Sequence, residues 1–499
     1  MLYNLLKKSF NEHGDKVAVN CDDIFLTFRE LDESIRAISC ELESRGVNKG
    51  DHVAILMNNC IEFPEAFFAI SLCGAVIVPF YVNMGIHKLT KTINHYDIKF
   101  VITTSKYEGE FETVLQKECC FLKGIFYLDF KKLSYMEFHD HLQKEAGKFD
   151  SADMTDLALI LFSSGTTNLP KGIMLSNSNI SSNVEAISNY LKIGLNDNVL
   201  LIKNIVHVSS IIGEMIVSLY NGCTLIMSSS LATPKLILEL IDRYQITIFF
   251  AVPTILYSIL NYRYLNKFSL KSMKTLQFYG GSIGTLIIRE LAAAFPWANL
   301  IYSYGLTEAA PRVTYCYKDK LLEKEGTSGT PVQGVEVFIL DKEGVSLGAG
   351  EMGEIAVKGP NVMLGYYKDR ELSDRVLRDG ILHTGDLGCL DKDGYLFVTG
   401  RRDNLIKQSG KNIYPEEIEN VLAGYKGVLE VLVRGEQDDL LGQKVTAYIV
   451  PVDDYLLDIL EILKYCRLHL EDYKIPKEVI IVKELDKTPS EKIVRRQEL

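Results

Sequence analysis

Residues 26–80 read LTFRELDESIRAISCELESRGVNKGDHVAILMNNCIEFPEAFFAISLCGAVIVPF. Leu31, Ile35, Ile38 and Leu42 recur at helical spacing, and Gly46 stops the helix they predict. Val53–Met57 then forms a short apolar run of the kind that makes a buried strand. Phe63–Leu72 is an apolar helix, and AVIVPF follows Gly74 as a second strand. Thr92–Thr103 repeats the pattern, with FVITT as its strand, and strand signals return at Thr224–Met227, Ile246–Val252 and Thr275–Phe278. Strands alternating with helices predict an α/β fold built on parallel sheets.

The texture changes near residue 325. Gly329, Gly334, Gly344, Gly348, Gly350, Gly353, Gly359 and Gly365 fall close together, with VEVFIL and EIAVKG between them. This predicts a β-rich subdomain of hairpins at about 325–400. Beyond it, EEIENVLAGY and LDILEILKYCRLHL read as helices, and VLEVLVRG and KVTAYIVP as strands. The expected organisation is a large domain, residues 1–402, followed by a small mobile α+β domain, residues 403–499.

Composition narrows the function. The 499 residues are 47% hydrophobic and 24% charged, with a formal net charge of −11. That profile belongs to a soluble globular chain of about two to four domains and excludes pervasive disorder. The acidic balance argues against a nucleic-acid partner, which requires concentrated positive charge. No run of about 18 apolar residues predicts a membrane span, and Met1–Phe10 lacks the apolar stretch of a secretory signal. The ten cysteines are scattered without CxxC spacing, as expected of reduced thiols in a cytoplasmic protein.

Five stretches carry candidate chemistry. In LILFSSGTTNLPKGIMLSNSNI, residues 159–180, a buried strand runs into Ser163-Ser164-Gly165-Thr166-Thr167-Asn168-Leu169-Pro170-Lys171-Gly172, and a helical pattern is expected to follow. Hydroxyls, glycine and a lysine suit phosphate oxygens, but Pro170 breaks the Walker A pattern. Tyr304-Gly305-Leu306-Thr307-Glu308 offers a ring for a base and a carboxylate for Mg²⁺. His383-Thr384-Gly385-Asp386 places a carboxylate after a glycine turn, where it can accept ribose hydroxyls. Gly400-Arg401-Arg402-Asp403 continues to Gly410 and Pro415, and Lys487-Thr488-Pro489-Ser490-Glu491-Lys492-Ile493 lies near Leu499. Each alone reads equally well as a structural turn or a solvated tail.

Together and in this order, they resemble the adenylate-forming superfamily of acyl-CoA and aryl-CoA synthetases, luciferase and peptide-synthetase adenylation domains. SSGTTNLPKG is similar to its phosphate loop, and YGLTE, HTGDLG, GRRDNLIKQSGKNIYPEEIE and KTPSEKI to its later motifs. The likeness covers nearly the whole chain. It implies that Ser163, Ser164, Gly165, Thr166, Thr167 and Lys171 hold the ATP phosphates. Tyr304 and Gly305 would take the adenine beside Gly280, Gly281 and Ser282. Thr307 would serve the phosphate, Glu308 the Mg²⁺, and Asp386 the ribose with Arg401 nearby. Lys492 would reach the α-phosphate and the acid's carboxylate, Asp403 would be the hinge, and Gly410 would line the thiol tunnel. Asn168 and Glu491 depart from the family pattern, which has glycine at both places.

His207 stands where amino-acid-activating members carry an aspartate for the α-ammonium, so an aryl, fatty or short acid without an α-amino group is expected. Val208, Ser209, Gly213, Phe278, Tyr279, Ala309, Ala310 and Pro311 are the expected pocket walls, mostly apolar. The implied activity is an ATP-dependent acid ligase that forms acyl-AMP and then a thioester, with coenzyme A as acceptor. The alternatives are a stand-alone enzyme loading the phosphopantetheine of a carrier protein in trans, since no carrier domain follows Leu499, and an inactive ligand-binding homologue. The oligomeric state is not legible from the sequence.

Overall fold

A computed structural model describes residues 1–109, 112–130, 132–137, 157–163, 169–281, 283–452, 455–487 and 493–495. They group into two compact units. The first comprises Met1–Ala232, Leu306–Arg312 and Gly359–Leu377, and the second Thr233–Gly305, Val313–Lys358 and Arg378–Leu499.

In the first unit, the helix predicted from Leu31, Ile35, Ile38 and Leu42 spans Phe28–Ser44, and all four side chains are buried. Thr27 and Glu30 form a reciprocal capping box at its start, which satisfies two N–H groups that the first turn leaves open. His52–Leu56 lies between Val76–Phe80 and Ile98–Thr103 in parallel register, and Ile98–Thr103 pairs in parallel with Gly124–Asp129. These strands belong to an eight-stranded sheet. Their side chains are almost all buried, as in a parallel sheet covered on both faces. Leu157–Ser163 joins this sheet beside Val76–Phe80. A further parallel group pairs Asn198–Leu201 with Thr224–Met227, and Thr224–Met227 with Val17–Cys21.

One sequence expectation is corrected here. The segment from Lys171, expected to be helical, is not helical at first. Lys171–Ser176 is a strand, antiparallel to Leu157–Ser163, with Ser163 opposite Lys171. The helix begins only at Asn177, after Ser176 and Asn179 form a capping box. Lys171 is therefore fixed on a sheet and not on a helix turn.

The second unit carries parallel Ile248–Ala251, Thr275–Tyr279 and Asn299–Gly305. The glycine-rich stretch forms the expected antiparallel sheet of Glu336–Leu340, Gly353–Lys358, Ile381–Leu390 and Leu396–Arg401. Residues 406–481 form another sheet, in which Val428–Asp438 pairs with Gly442–Pro451 and Glu478–Ile481 adds in parallel. The helices Pro415–Ala423 and Ile459–His469 accompany it. Ile413, Ile418, Leu422, Val445, Ile449 and Ile462 make the core of this part.

Candidate active site

Lys171 enters its strand directly after Pro170, whose carbonyl accepts the Tyr96 hydroxyl at 2.6 Å. Gly172 lies so close to the Tyr96 ring that a Cβ there would overlap it. Gly365–Tyr366 pairs antiparallel along the same strand, Tyr366 opposite Ile173. The Lys171 ammonium lies 5.8 Å from the centre of the Tyr366 ring. The Tyr366 hydroxyl donates to Glu308 Oε1 at 2.9 Å. One tyrosine thus spans the lysine expected to meet phosphate and the carboxylate expected to meet metal.

Glu308 occupies a short 3-10 turn, Thr307–Ala309. Its carbonyl accepts the Met363 N–H at 2.9 Å, and the Ala309 carbonyl accepts Asn361 Nδ2 at 2.8 Å. Among the described residues, no group of three His, Cys, Asp or Glu could hold a metal by itself. A single anchored carboxylate fits Mg²⁺, which keeps waters and takes its other oxygens from substrate phosphates.

In the second unit, Asp386 and Tyr304 meet. The Tyr304 hydroxyl donates to Asp386 Oδ2 at 2.6 Å, and Arg401 Nε lies 3.2 Å from Oδ1. Burial, reinforced by this carboxylate, holds the Tyr304 phenol well above its ordinary pKa. The Asp386 N–H is fixed by Thr384 Oγ1, whose hydroxyl donates to the Ile355 carbonyl. Glu354 supports the turn from below: Oε1 accepts the Gly385 N–H at 3.1 Å, and Oε2 lies 3.4 Å from His383 Nδ1 and 3.6 Å from Arg402 Nη1. Gly280 leaves its strand at a φ of 85°, and the Gly281 carbonyl accepts the Tyr302 hydroxyl at 3.1 Å. Phe278 is fully buried and stacks on Tyr302. Asp403 is exposed in the turn Arg402–Asn404, and Ser409 and Gly410, both at positive φ, form a two-residue hairpin turn.

His207 ends an irregular stretch after Asn198–Leu201. Its Nδ1 lies 3.2 Å from the Tyr81 hydroxyl, and the rings meet edge-on. Val208–Ser210 is helical and continues as a π-helix through Ile211–Ile216. Arg312 Nη1 donates to Ser209 Oγ at 3.2 Å, although only 2% of Arg312 is exposed. Of the residues expected as pocket walls, Ser209 and Gly213 have the Arg312 guanidinium beside them. Ser164, Gly165, Thr166, Thr167, Asn168, Ser282, Glu491 and Lys492 lie outside the described residues, as does the Ser163 side chain.

Sequence reasoning missed Tyr366, Glu354 and Arg312. Arg312, an arginine directly after Pro311 in an otherwise apolar run, was the one with a visible signal.

The family model described as AMP-binding enzyme matches residues 6–367, and that of the AMP-binding enzyme C-terminal domain matches 417–492. The chain belongs to the AMP-binding enzyme family. A feruloyl-CoA synthase of Amycolatopsis sp. is 31% identical, over 94% of this chain and 92% of that protein. An o-succinylbenzoate CoA synthetase of Bacillus subtilis, solved with its acyl-adenylate intermediate, superimposes with a TM-score of 0.83 at 27% identity, covering 99% of this chain and 97% of that one. The same synthetase with ATP and a magnesium ion gives 0.81, also at 27% identity, covering 99% and 98%. The α/β architecture of the family is thus the architecture of this chain. Among the described residues, no helix is long and apolar enough to cross a membrane.

Proposed function

We propose that this AMP-forming acid–CoA ligase uses ATP and Mg²⁺ to activate a carboxylic acid without an α-amino group, and passes the acyl group to coenzyme A. The observation that carries the choice of acid is the setting of His207. Its imidazole faces the Tyr81 hydroxyl, and the Arg312 guanidinium reaches Ser209 two residues on. The buried Glu214 carboxylate is ion-paired with Lys203 Nζ at 2.6 Å. A substrate ammonium here would meet cationic neighbours, at a high desolvation cost.

In this reading the acid's carboxylate oxygen attacks the α-phosphorus, the bond to pyrophosphate breaks, and acyl-AMP forms. Lys171, with Thr166, Thr167 and the Ser163-Ser164-Gly165 turn, steadies the phosphates that leave. Lys492 neutralises charge at the α-phosphate, where fixed cations act most strongly. Asp386 accepts the ribose hydroxyls, and Arg401 holds that carboxylate in place. Tyr304 and Gly305 flank the adenine with Gly280, Gly281 and Ser282, and Thr307 binds phosphate. Mg²⁺ held by Glu308 would neutralise phosphate charge and orient the leaving group. His207, Val208, Ser209, Ala309 and Phe278 would border the acid. The thiolate of coenzyme A then attacks the acyl carbonyl and AMP leaves, with Gly410 along the thiol's path. Asp403 is the hinge between 1–402 and 403–499, whose separate hydrophobic core suits movement as one body. The free state of all ten cysteines supports a cytoplasmic setting.

The test is a pyrophosphate-release screen over a panel of carboxylic acids without thiol. Aryl or aliphatic acids are expected to give release and amino acids none; the reverse would refute the assignment. Adding coenzyme A, or a phosphopantetheinylated carrier protein, to the successful acid then identifies the acceptor.

A further inference from the structure

Tyr96 is a buried phenol outside the motifs that mark the site, and only 1% of it is exposed. It closes the helix Ile86–His95, its N–H donating to the Thr92 carbonyl at 3.0 Å. His52 Nδ1 lies 2.6 Å from its carbonyl oxygen. The ring is set edge-on to Phe162 at 4.9 Å and tilted against Tyr367 at 5.3 Å, and Phe162 stacks in turn on Phe80. Backbone and ring are both held, so the hydroxyl has a fixed direction. It donates to the Pro170 carbonyl at 2.6 Å. Burial raises the phenol's pKa, and a backbone hydrogen bond with Gly172 opposes that rise.

The Pro170 carbonyl belongs to the same planar peptide as the Lys171 N–H. A bond to that oxygen therefore orients the plane from which the lysine side chain departs. Just beyond the lysine, the Gly172 carbonyl accepts the Tyr367 N–H at 2.7 Å. Asp97, next to Tyr96, accepts the Tyr367 hydroxyl at 2.8 Å and pairs with Lys368 Nζ at 2.7 Å. The Tyr96–Asp97 corner thus ties the chain entering Lys171 to the segment Tyr366–Lys368, whose Tyr366 ring lies by the Lys171 ammonium. A cation that stabilises a leaving phosphate acts through fixed placement, and small displacements are costly.

We propose that Tyr96 is a positioning residue for adenylation: by holding the Pro170 carbonyl, its hydroxyl sets where the Lys171 ammonium meets the ATP phosphates. This rests on the ligase reading above, and it assigns part of the phosphate grip to a residue 74 positions from Pro170 in the chain. The role is indirect, passing through the backbone. Thiol attack on acyl-AMP no longer involves the pyrophosphate that Lys171 would hold, so that half-reaction should not need the Tyr96 hydroxyl.

The test is Tyr96→Phe, which keeps the ring against Phe162 and Gly172 and removes only the donor. Pyrophosphate release against ATP concentration, with an acid that the wild type activates, is measured for the wild type, Tyr96→Phe, Lys171→Ala and the double variant. Thioester formation from pre-made acyl-AMP and coenzyme A is measured alongside. Tyr96→Phe should lower kcat/KM for ATP in adenylation about tenfold, the effect of one lost hydrogen bond, and leave thioester formation unchanged. Lys171→Ala should lose more, and the double variant no more than Lys171→Ala alone, because the tyrosine acts through that lysine. Losses that multiply in the double variant, equal losses in the two half-reactions, a Tyr96→Phe enzyme with wild-type kinetics, or one that does not fold each leave Tyr96 only a packing role and overturn the proposal. If Lys171→Ala releases pyrophosphate as fast as the wild type, the proposal falls while the ligase reading stands. No release by the wild type with any acid overturns the ligase reading and this proposal with it.

Discussion

Tyr366→Phe isolates one atom that links two parts of the site. The hydroxyl donates to Glu308 Oε1 at 2.9 Å, while the ring lies under the Lys171 ammonium at 5.8 Å. The substitution removes the first contact and keeps the second, because phenylalanine presents a similar π face to a cation. A hydrogen bond to a charged group is worth about 1.5–3 kcal/mol net. At about 1.4 kcal/mol per tenfold, the ceiling is a loss of about 10–150-fold. Glu308 is only half-buried, so water can replace part of what the hydroxyl supplied, and the low end, about tenfold, is expected. The loss should appear as a higher Mg²⁺ requirement and slower adenylation, with the phosphate contribution of Lys171 retained. The assay is pyrophosphate release against Mg²⁺ concentration at saturating ATP, for wild type, Tyr366→Phe, Glu308→Gln and the double variant. Glu308→Gln alone should cost about 10²–10³-fold. Adding Tyr366→Phe to it should cost almost nothing more: the amide oxygen can still accept the hydroxyl, but no carboxylate remains for that hydroxyl to position toward Mg²⁺. Additive losses, or a Tyr366→Phe enzyme with unaltered Mg²⁺ dependence, would refute the claim that this tyrosine acts through Glu308.

Asp386→Ala should raise the KM for ATP by about 10–100-fold through loss of charge-assisted bonds, whereas Tyr304→Phe, which removes only the hydroxyl, should change it less than about tenfold; equal effects in steady-state kinetics would contradict the ribose role. Gly172→Ala forces a methyl into the buried Tyr96 ring and should destabilise the protein by about 1–3 kcal/mol in denaturant titration, with no loss expected only if Tyr96 can move aside. Asp391 tests pH dependence. Burial pushes its pKa up, but the Lys324 ammonium and the Tyr395 and Asp393 N–H groups outweigh that and hold the carboxyl below its ordinary value. A folded pKa below the unfolded one stabilises above about pH 4 and is lost as pH falls through the folded value. Asp391→Asn should therefore lower Tm at pH 7, and the gap to wild type should close below pH 4 in a melting series.

Local grammar carried most of the fold. The helix Phe28–Ser44 announced itself through its apolar spacing and its stop at Gly46, whose φ is 86°, and the strand Thr224–Met227 was read to the residue. The hairpin Val17–Cys21 with Ile24–Thr27 was missed although its turn was written in the chain: Asp22 and Asp23 both adopt positive φ, the pattern of a two-residue hairpin turn. Lys171–Ser176 was misread because a six-residue strand with three apolar residues, Ile173, Met174 and Leu175, carries too few periods to separate strand from helix. The site divides along the same line. Residues that lie inside contiguous motifs, such as Glu308 and Asp386, could be named from the sequence. Residues that matter through a distant partner could not. Tyr366 meets Glu308 across 58 positions and Arg312 meets Ser209 across 103, and no window of sequence holds both ends of either contact. Family motifs mark where ATP is handled, because that chemistry is shared and local. Contacts such as Arg312 with Ser209 are assembled by the fold from separate segments, so no single motif can announce them.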